Sequence, residues 1–82
     1  MKQKDLKKLI GKVIDFRLQR KFHLSYKLRG LVQEAITNLS SGAFVIVIEG
    51  NEKVLTWVSE VDEKSVKVLS DHEALIWKLG HL

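Results

Sequence analysis

The chain has 82 residues and 45% of them are hydrophobic, which suits one folded domain with a core and excludes global disorder. It has no cysteine, so disulfide bonds and cysteine-ligated zinc do not supplement that core. The net charge of +4 is unevenly distributed: residues 1–33 carry ten Lys/Arg against two carboxylates, and residues 34–82 carry four against eight. A basic first half favours a polyanionic partner, and it equally permits head-to-tail pairing between copies of the chain.

The first predicted element is a short helix over Lys2–Ile10. Its apolar residues Leu6, Leu9 and Ile10 recur at helical spacing, and lysines occupy much of the remainder. Gly11 is placed to close this helix in the left-handed conformation.

The stretch from Ile14 to Leu28 alternates, with apolar residues at the even positions except Arg20 and polar residues at the odd ones. A period of two is typical of a strand with one face on a core, and the length predicts a hairpin. A three-residue loop over 19–21 places Arg20 at its tip and gives these inside pairs: Leu18–Phe22, Phe16–Leu24 and Ile14–Tyr26. A loop shifted by one residue would leave the same residues on the inner and outer faces, and it is the alternative.

The segment from Gly30 to Gly42 fits two structures. Five apolar residues match a helical stripe, which would give an α+β fold with a helix at 31–40: Leu31, Val32, Ala35, Ile36 and Leu39. The alternation of Val32, Glu34 and Ile36 instead continues the strand, with Gly30 as a bend. We favour the strand, with a loop over 38–42.

The next predicted elements are a buried strand over Ala43–Glu49, a turn over Gly50–Lys53 and a returning strand over Val54–Val58. A two-residue loop at Gly50-Asn51 predicts two inside pairs: Ile46–Leu55 and Phe44–Trp57. A polar turn over Asp62–Ser65 then precedes a short last strand over Val66–Leu69.

The segment Ser70–Glu73 has a capping-box pattern, which predicts a helix that runs through Leu79 and stops at Gly80. Trp77 shares one side of this helix with Ala74, and that side differs from the one with Leu75, Ile76 and Leu79. The helix therefore has more apolar surface than one contact requires. Trp77 either closes an open end of a barrel or belongs to an interface.

Together these elements predict a single domain over 1–82 with a mainly β fold, a small five-stranded SH3-like barrel with short N-terminal and C-terminal helices. The arrangement resembles that of the Sm-like (Lsm) proteins, with Val54–Leu69 supplying the last two strands. The stretches that carry the resemblance are Leu9-Ile10-Gly11-Lys12-Val13-Ile14-Asp15-Phe16 and Leu28-Arg29-Gly30-Leu31-Val32.

In Sm-like proteins an Asp and an Asn after that glycine help to hold RNA. Aligned from Gly30, these positions hold Ile36 and Ser40 in this chain, and the family's later Arg-Gly pair is absent. The uridine pocket of the family is therefore not carried over. The resemblance also implies assembly into a ring.

The candidate nucleic-acid-binding residues are Arg17, Arg20, Lys21, Lys27 and Arg29. All except Arg20 share one parity, so a sheet presents them as a ridge in which alternate residues lie ~6.6–7 Å apart. This spacing is commensurate with phosphates along a backbone. We predict that these residues contact the backbone of RNA or DNA without reading its sequence.

The alternative function is a protein–protein interaction or self-assembling module that forms a homo-oligomer. No catalytic motif is present, and adjacent helical residues such as Asp71, His72 and Glu73 point in different directions and make no metal site. We therefore predict a protein that is not an enzyme, with no cofactor and no metal.

The longest wholly apolar run, Ala43–Ile48, is far too short to cross a bilayer. The N-terminal lysines are not followed by the long apolar segment of a signal peptide. We expect an intracellular, cytoplasmic protein that makes no contact with a membrane.

Overall fold

The computed structural model describes residues 3–19, 25–38 and 42–82 of the chain. Its helices and strands are α1 (Gln3–Leu6), β1 (Val13–Gln19), β2 (Ser25–Ile36), β3 (Ala43–Glu49), β4 (Glu52–Trp57), β5 (Val61–Val68) and α2 (Asp71–His81). Single 3₁₀ turns over Lys7–Leu9 and Val58–Glu60 extend α1 and connect β4 to β5. The predicted mainly β fold with five strands and two terminal helices is confirmed. No helix within the described ranges has the length and apolar character needed to cross a bilayer.

The five strands form one antiparallel sheet in the order β4-β3-β2-β1-β5. The outermost strands, β4 and β5, are not hydrogen-bonded to each other in the part of the chain that is described. The sheet is therefore open, whereas the sequence pattern predicts one closed into a barrel.

The predicted continuation of the strand past Gly30 is confirmed, and the alternative helix at 31–40 is wrong, because β2 runs without interruption to Ile36. A Cβ atom at Gly30 would lie 3.0 Å from the Val47 carbonyl oxygen and 3.2 Å from the Ile46 Cβ atom. Glycine is needed here because β3 packs so closely against β2. A β-bulge between Val32 and Glu34 then shifts the register of this strand pair.

The predicted register of the first hairpin is wrong, although its faces are right. Leu18 pairs with Tyr26 and not with Phe22, and the last pair joins Gln19 to Ser25. The predicted loop over 19–21 lies outside the described residues except for Gln19, which belongs to β1. The physical reason for the different register is that a three-residue loop usually needs glycine in the left-handed conformation, and this segment of the sequence has none.

The predicted register of the second hairpin is wrong by one residue. Phe44 pairs with Thr56, and Trp57 pairs with Ala43, because an irregularity between Val47 and Glu49 takes up one residue. A shift of one residue moves every side chain of a strand to the other face. Thr56 is consequently 1% exposed inside the protein, while Trp57 is 39% exposed on the outside.

The main core lies on one face of the sheet, which we call the inner face. Its buried residues are Leu6, Ile14, Phe16, Leu18, Val32, Phe44, Ile46, Val58 and Val61. The rings of Phe16 and Phe44 meet edge to face, with centroids 5.6 Å apart. The predicted left-handed conformation at the end of the N-terminal helix is confirmed by a φ of 85° at Gly11.

Helix α2 covers part of the opposite, outer face and forms a second core there, which consists of Val13, Leu69, Ala74 and Trp77 with Leu31 beside them. The predicted capping box is confirmed, because the Ser70 hydroxyl accepts a hydrogen bond from the Glu73 N–H. At the other end of the helix, the Gly50 N–H donates to the His81 carbonyl oxygen at 2.7 Å. Helix α2 thus crosses the outer face from β5 to the turn between β3 and β4.

Candidate nucleic-acid interface

A groove of about 590 Å³ lies on the outer face beside α2 and crosses β2, β1 and β5. Its polar and charged lining residues are Asp15, Arg17, Lys27, Arg29, Ser65 and Lys67. Four of these side chains are cations and one is a carboxylate, so the groove carries net positive charge.

The strand registers set the pattern of charge in this groove. Arg17 is opposite Lys27 on β2, and Asp15 is opposite both Arg29 on β2 and Lys67 on β5. Neighbouring strands lie about 4.8 Å apart, and alternate residues of one strand lie ~6.6–7 Å apart. The four cations therefore occupy a patch about 10 Å across, which is the scale of one or two phosphate groups.

The centre of the groove is an ion pair between Asp15 and Arg29. The Arg29 Nε donates to Asp15 Oδ1 at 2.5 Å, and the Arg29 Nη2 donates to Asp15 Oδ2 at 2.7 Å. Such a two-point contact fixes the plane and the orientation of the guanidinium.

The hydrogen bond from Arg29 lowers the pKa of the Asp15 carboxyl, while partial burial acts in the opposite direction. The positive charges of Arg29, Lys67 and Lys27 lower this pKa further. The pKa of Arg29 is raised, first by its hydrogen bond to Asp15 and, in a smaller measure, by the charges of Asp15 and Glu73.

Arg17 and Ser65 connect the groove to an irregular part of β5. The Arg17 N–H donates to the Ser65 hydroxyl at 2.8 Å, and that hydroxyl donates to the Asp62 carbonyl oxygen. The Asp62 carboxylate accepts from the Lys64 N–H. The predicted polar turn over Asp62–Ser65 is thus an irregularity within β5, which begins earlier than predicted, at Val61.

No family model, curated protein or solved structure matches this chain.

Three of the five residues predicted to bind nucleic acid lie together in the groove: Arg17, Lys27 and Arg29. Arg20 and Lys21 lie outside the described residues. Of the three, Arg29 is paired with a carboxylate, while Arg17 and Lys27 form no ion pair with another residue of the described ranges.

The sequence did not lead us to predict that Lys67 lies in the groove or that Asp15 pairs with Arg29 there. Lys67 joins the groove only because β5 pairs with β1, and such long-range pairing leaves no local signal in the sequence. Asp15 did leave a signal, because it shares the parity of Arg17 in the alternating stretch and so belongs to the same face. Within the described ranges, no group of three or more His, Cys, Asp or Glu residues is arranged to hold a metal ion.

Proposed function

We propose that this protein is a non-catalytic nucleic-acid-binding protein whose groove contacts the phosphate backbone of RNA or DNA. The observation that carries the proposal is the convergence of Arg17, Lys27, Arg29 and Lys67 from three strands on one patch. Phosphate contacts of this kind supply affinity and position the ligand without reading its bases.

The ion pair of Arg29 is compatible with this role. A guanidinium has five N–H donors, of which Asp15 takes two, so three remain for a phosphate oxygen. Because Asp15 already holds the guanidinium in one plane, less side-chain freedom is lost when the ligand binds. Arg17, Lys27 and Lys67 add charge around this fixed donor.

The proposal predicts a steep dependence of affinity on salt. Each phosphate contact lowers the logarithmic salt slope by about 0.7 for a single strand and about 0.9 for a duplex. Four contacts would therefore reduce affinity by about 50-fold for single strands and about 150-fold for duplexes between 50 and 200 mM salt.

The test is a double variant, Lys27→Ala with Lys67→Ala, titrated into labelled RNA and DNA oligonucleotides by fluorescence anisotropy across that salt range. We expect weaker binding at low salt and a slope shallower by about 1.4 for single strands, because two phosphate contacts are lost. The matched control is Lys7→Ala with Lys53→Ala, since both residues are exposed and neither lines the groove. Equal losses in the two variants, or no binding by the wild-type protein at 50 mM salt, would contradict the proposal.

A second candidate function is a self-associating or protein-interaction module. It is favoured by four exposed apolar residues, three in α2 and one at its C-cap, that lie outside the second core: Leu75, Ile76, Leu79 and Leu82. Apolar association is not screened by salt, so light scattering at low and high ionic strength distinguishes it from binding through the groove.

A further inference from the structure

Helix α2 has two apolar sides, and only one of them is covered. Ala74 and Trp77 pack into the second core, whereas Leu75, Ile76, Leu79 and Leu82 are 56%, 58%, 78% and 49% exposed. We call these four exposed residues the α2 stripe. Single exposed apolar residues are ordinary on a protein surface, but three within an 11-residue helix and a fourth, Leu82, at its C-cap form a patch.

The α2 stripe lies on the side of the helix away from the sheet. Successive helical residues are about 100° apart, which places Leu75, Ile76 and Leu79 opposite the buried side chains of Ala74 and Trp77. None of the stripe residues lines the groove. The apolar surface and the basic groove are thus separate features.

We propose that the α2 stripe is buried against the same helix of a second copy of this chain, in an antiparallel pair about a twofold axis. The inference rests on the second candidate function, self-association, and is independent of nucleic-acid binding. A twofold interface uses the same patch on both copies, so it closes at a dimer. The pairing uses none of the residues that line the groove.

Charge complementarity identifies a second copy as the occupant. The first turn of α2 is acidic, with Asp71 and Glu73, and its last turn is basic, with Lys78 and His81. An antiparallel copy places the acidic turn of each helix beside the basic turn of the other, and it also opposes the two helix dipoles. A parallel pair would bring like charges together.

Asp71 and Lys78 have the position that such a pair requires. Seven residues separate them, which is almost two full helical turns, so both lie along one edge of the helix next to Leu75. In a twofold antiparallel pair, this edge of one helix lies beside the same edge of the other helix. Asp71 of each copy is then close to Lys78 of the other copy, which gives two such pairs.

The first test is sedimentation velocity of the full chain over a wide concentration range at low and high salt. One three-turn helix per copy makes an interface at the small end of specific interfaces, so we expect a salt-resistant dimer with a dissociation constant of about micromolar. Ile76→Ser with Leu79→Ser should make the protein monomeric, and far-UV circular dichroism should show that it stays folded. The matched control, Ile10→Ser with Val68→Ser, removes two side chains of 46% exposure outside the stripe and should leave the dimer intact.

The second test determines the antiparallel arrangement. Asp71→Lys alone and Lys78→Asp alone each place like charges together across the axis and should weaken the dimer. An equimolar mixture of these two variants should restore it, because in the mixed dimer both pairs are again of opposite charge.

A dimer that survives Ile76→Ser with Leu79→Ser would overturn the inference but leave self-association through another surface as the function. A wild-type protein that stays monomeric would overturn both. Oligomers larger than two, or a monomer that binds neutral phosphatidylcholine vesicles through the stripe, would also overturn the pairing.

Discussion

Asp15 lies among cations from two neighbouring strands, and its pair with Arg29 determines what the groove offers to an anion. The two side chains are partly exposed, so the pair contributes at most about 1 kcal/mol to stability. Its larger effect is on binding, because it holds a guanidinium in one orientation and leaves three of its donors available.

The lowered pKa of Asp15 predicts how this contribution depends on pH. A carboxyl whose pKa is lower in the folded state stabilises the fold above its ordinary value of 3.8, and this stabilisation is lost as the pH falls through the lowered pKa. We expect the unfolding free energies of wild-type and Asp15→Asn to differ at about pH 6 and to converge as the pH falls below 3.8 and through the lowered pKa. Urea denaturation at each pH measures the difference. Glu34→Gln, at an exposed position outside the groove, is the control, and a difference for Asp15→Asn that is constant with pH would refute the prediction.

Thr56 is a buried polar residue in an apolar environment. Its hydroxyl has no hydrogen-bond partner among the described residues, and the residue sits opposite Phe44 on the inner face. Burial of an unsatisfied hydroxyl costs about 1–3 kcal/mol. We therefore expect Thr56→Val, which keeps the branched shape, to raise the unfolding free energy by about 1 kcal/mol in urea denaturation. Thr56→Ser keeps the hydroxyl and should not stabilise, and a less stable Thr56→Val protein would show that the hydroxyl is satisfied.

At the scale of the elements, β2 positions both the core and the groove. It pairs with β1 on one side and β3 on the other, and it carries Lys27 and Arg29 on its outer face. Gly30 is the residue that lets β3 approach this strand closely.

A side chain at Gly30 should therefore force the two strands apart. The Cβ atom of Gly30→Ala would meet the Val47 carbonyl oxygen at 3.0 Å, and overpacking of this kind costs about 1–3 kcal/mol. Thermal and urea denaturation should show a loss of that size. Gly80→Ala is the matched control, because a Cβ atom there meets nothing within 4 Å and alanine favours the helix, so this variant should be as stable as wild-type or more so. Equal stability of Gly30→Ala and wild-type would indicate that the strands move apart at little cost.

At the scale of the whole molecule, the protein presents two surfaces of different chemistry. The groove on the outer face of the sheet is cationic, and the α2 stripe, which faces away from the sheet, is apolar. The two proposals therefore differ in their response to salt, since groove contacts weaken steeply as salt rises and burial of the stripe does not.

The charge split of the sequence does not become a split of the molecule. Residues 1–33 hold most of the cations, but β1 from that half pairs with β5 from the other half. Lys67 thereby joins Arg17 and Lys27 in one groove. Cations from both halves of the sequence thus meet in one local basic patch.

Local patterns in the sequence were sufficient to predict most of the strands, the C-terminal helix and the burial of Ile14, Phe16 and Leu18 in the first hairpin, whereas Tyr26, which was predicted inside, is 49% exposed. Alternation with a period of two in the stretch from residue 14 and the capping box at Ser70 are local patterns, set by the geometry of a strand and of a helix start. The need for glycine at positions 11 and 30 is also local. Gly11 has a left-handed conformation, and Gly30 has a close contact with β3, and a side chain would oppose each.

The register and the neighbours of the strands depend on how the whole sheet packs and could not be read from local patterns. A single irregularity after Val47 moves Trp57 outside and Thr56 inside, and it depends on how the whole sheet packs. The hydrogen bond from Arg17 to Ser65 joins residues 48 positions apart. Contacts at such a separation leave no periodicity in the chain, which is why Lys67 in the groove became evident only when β5 was seen beside β1.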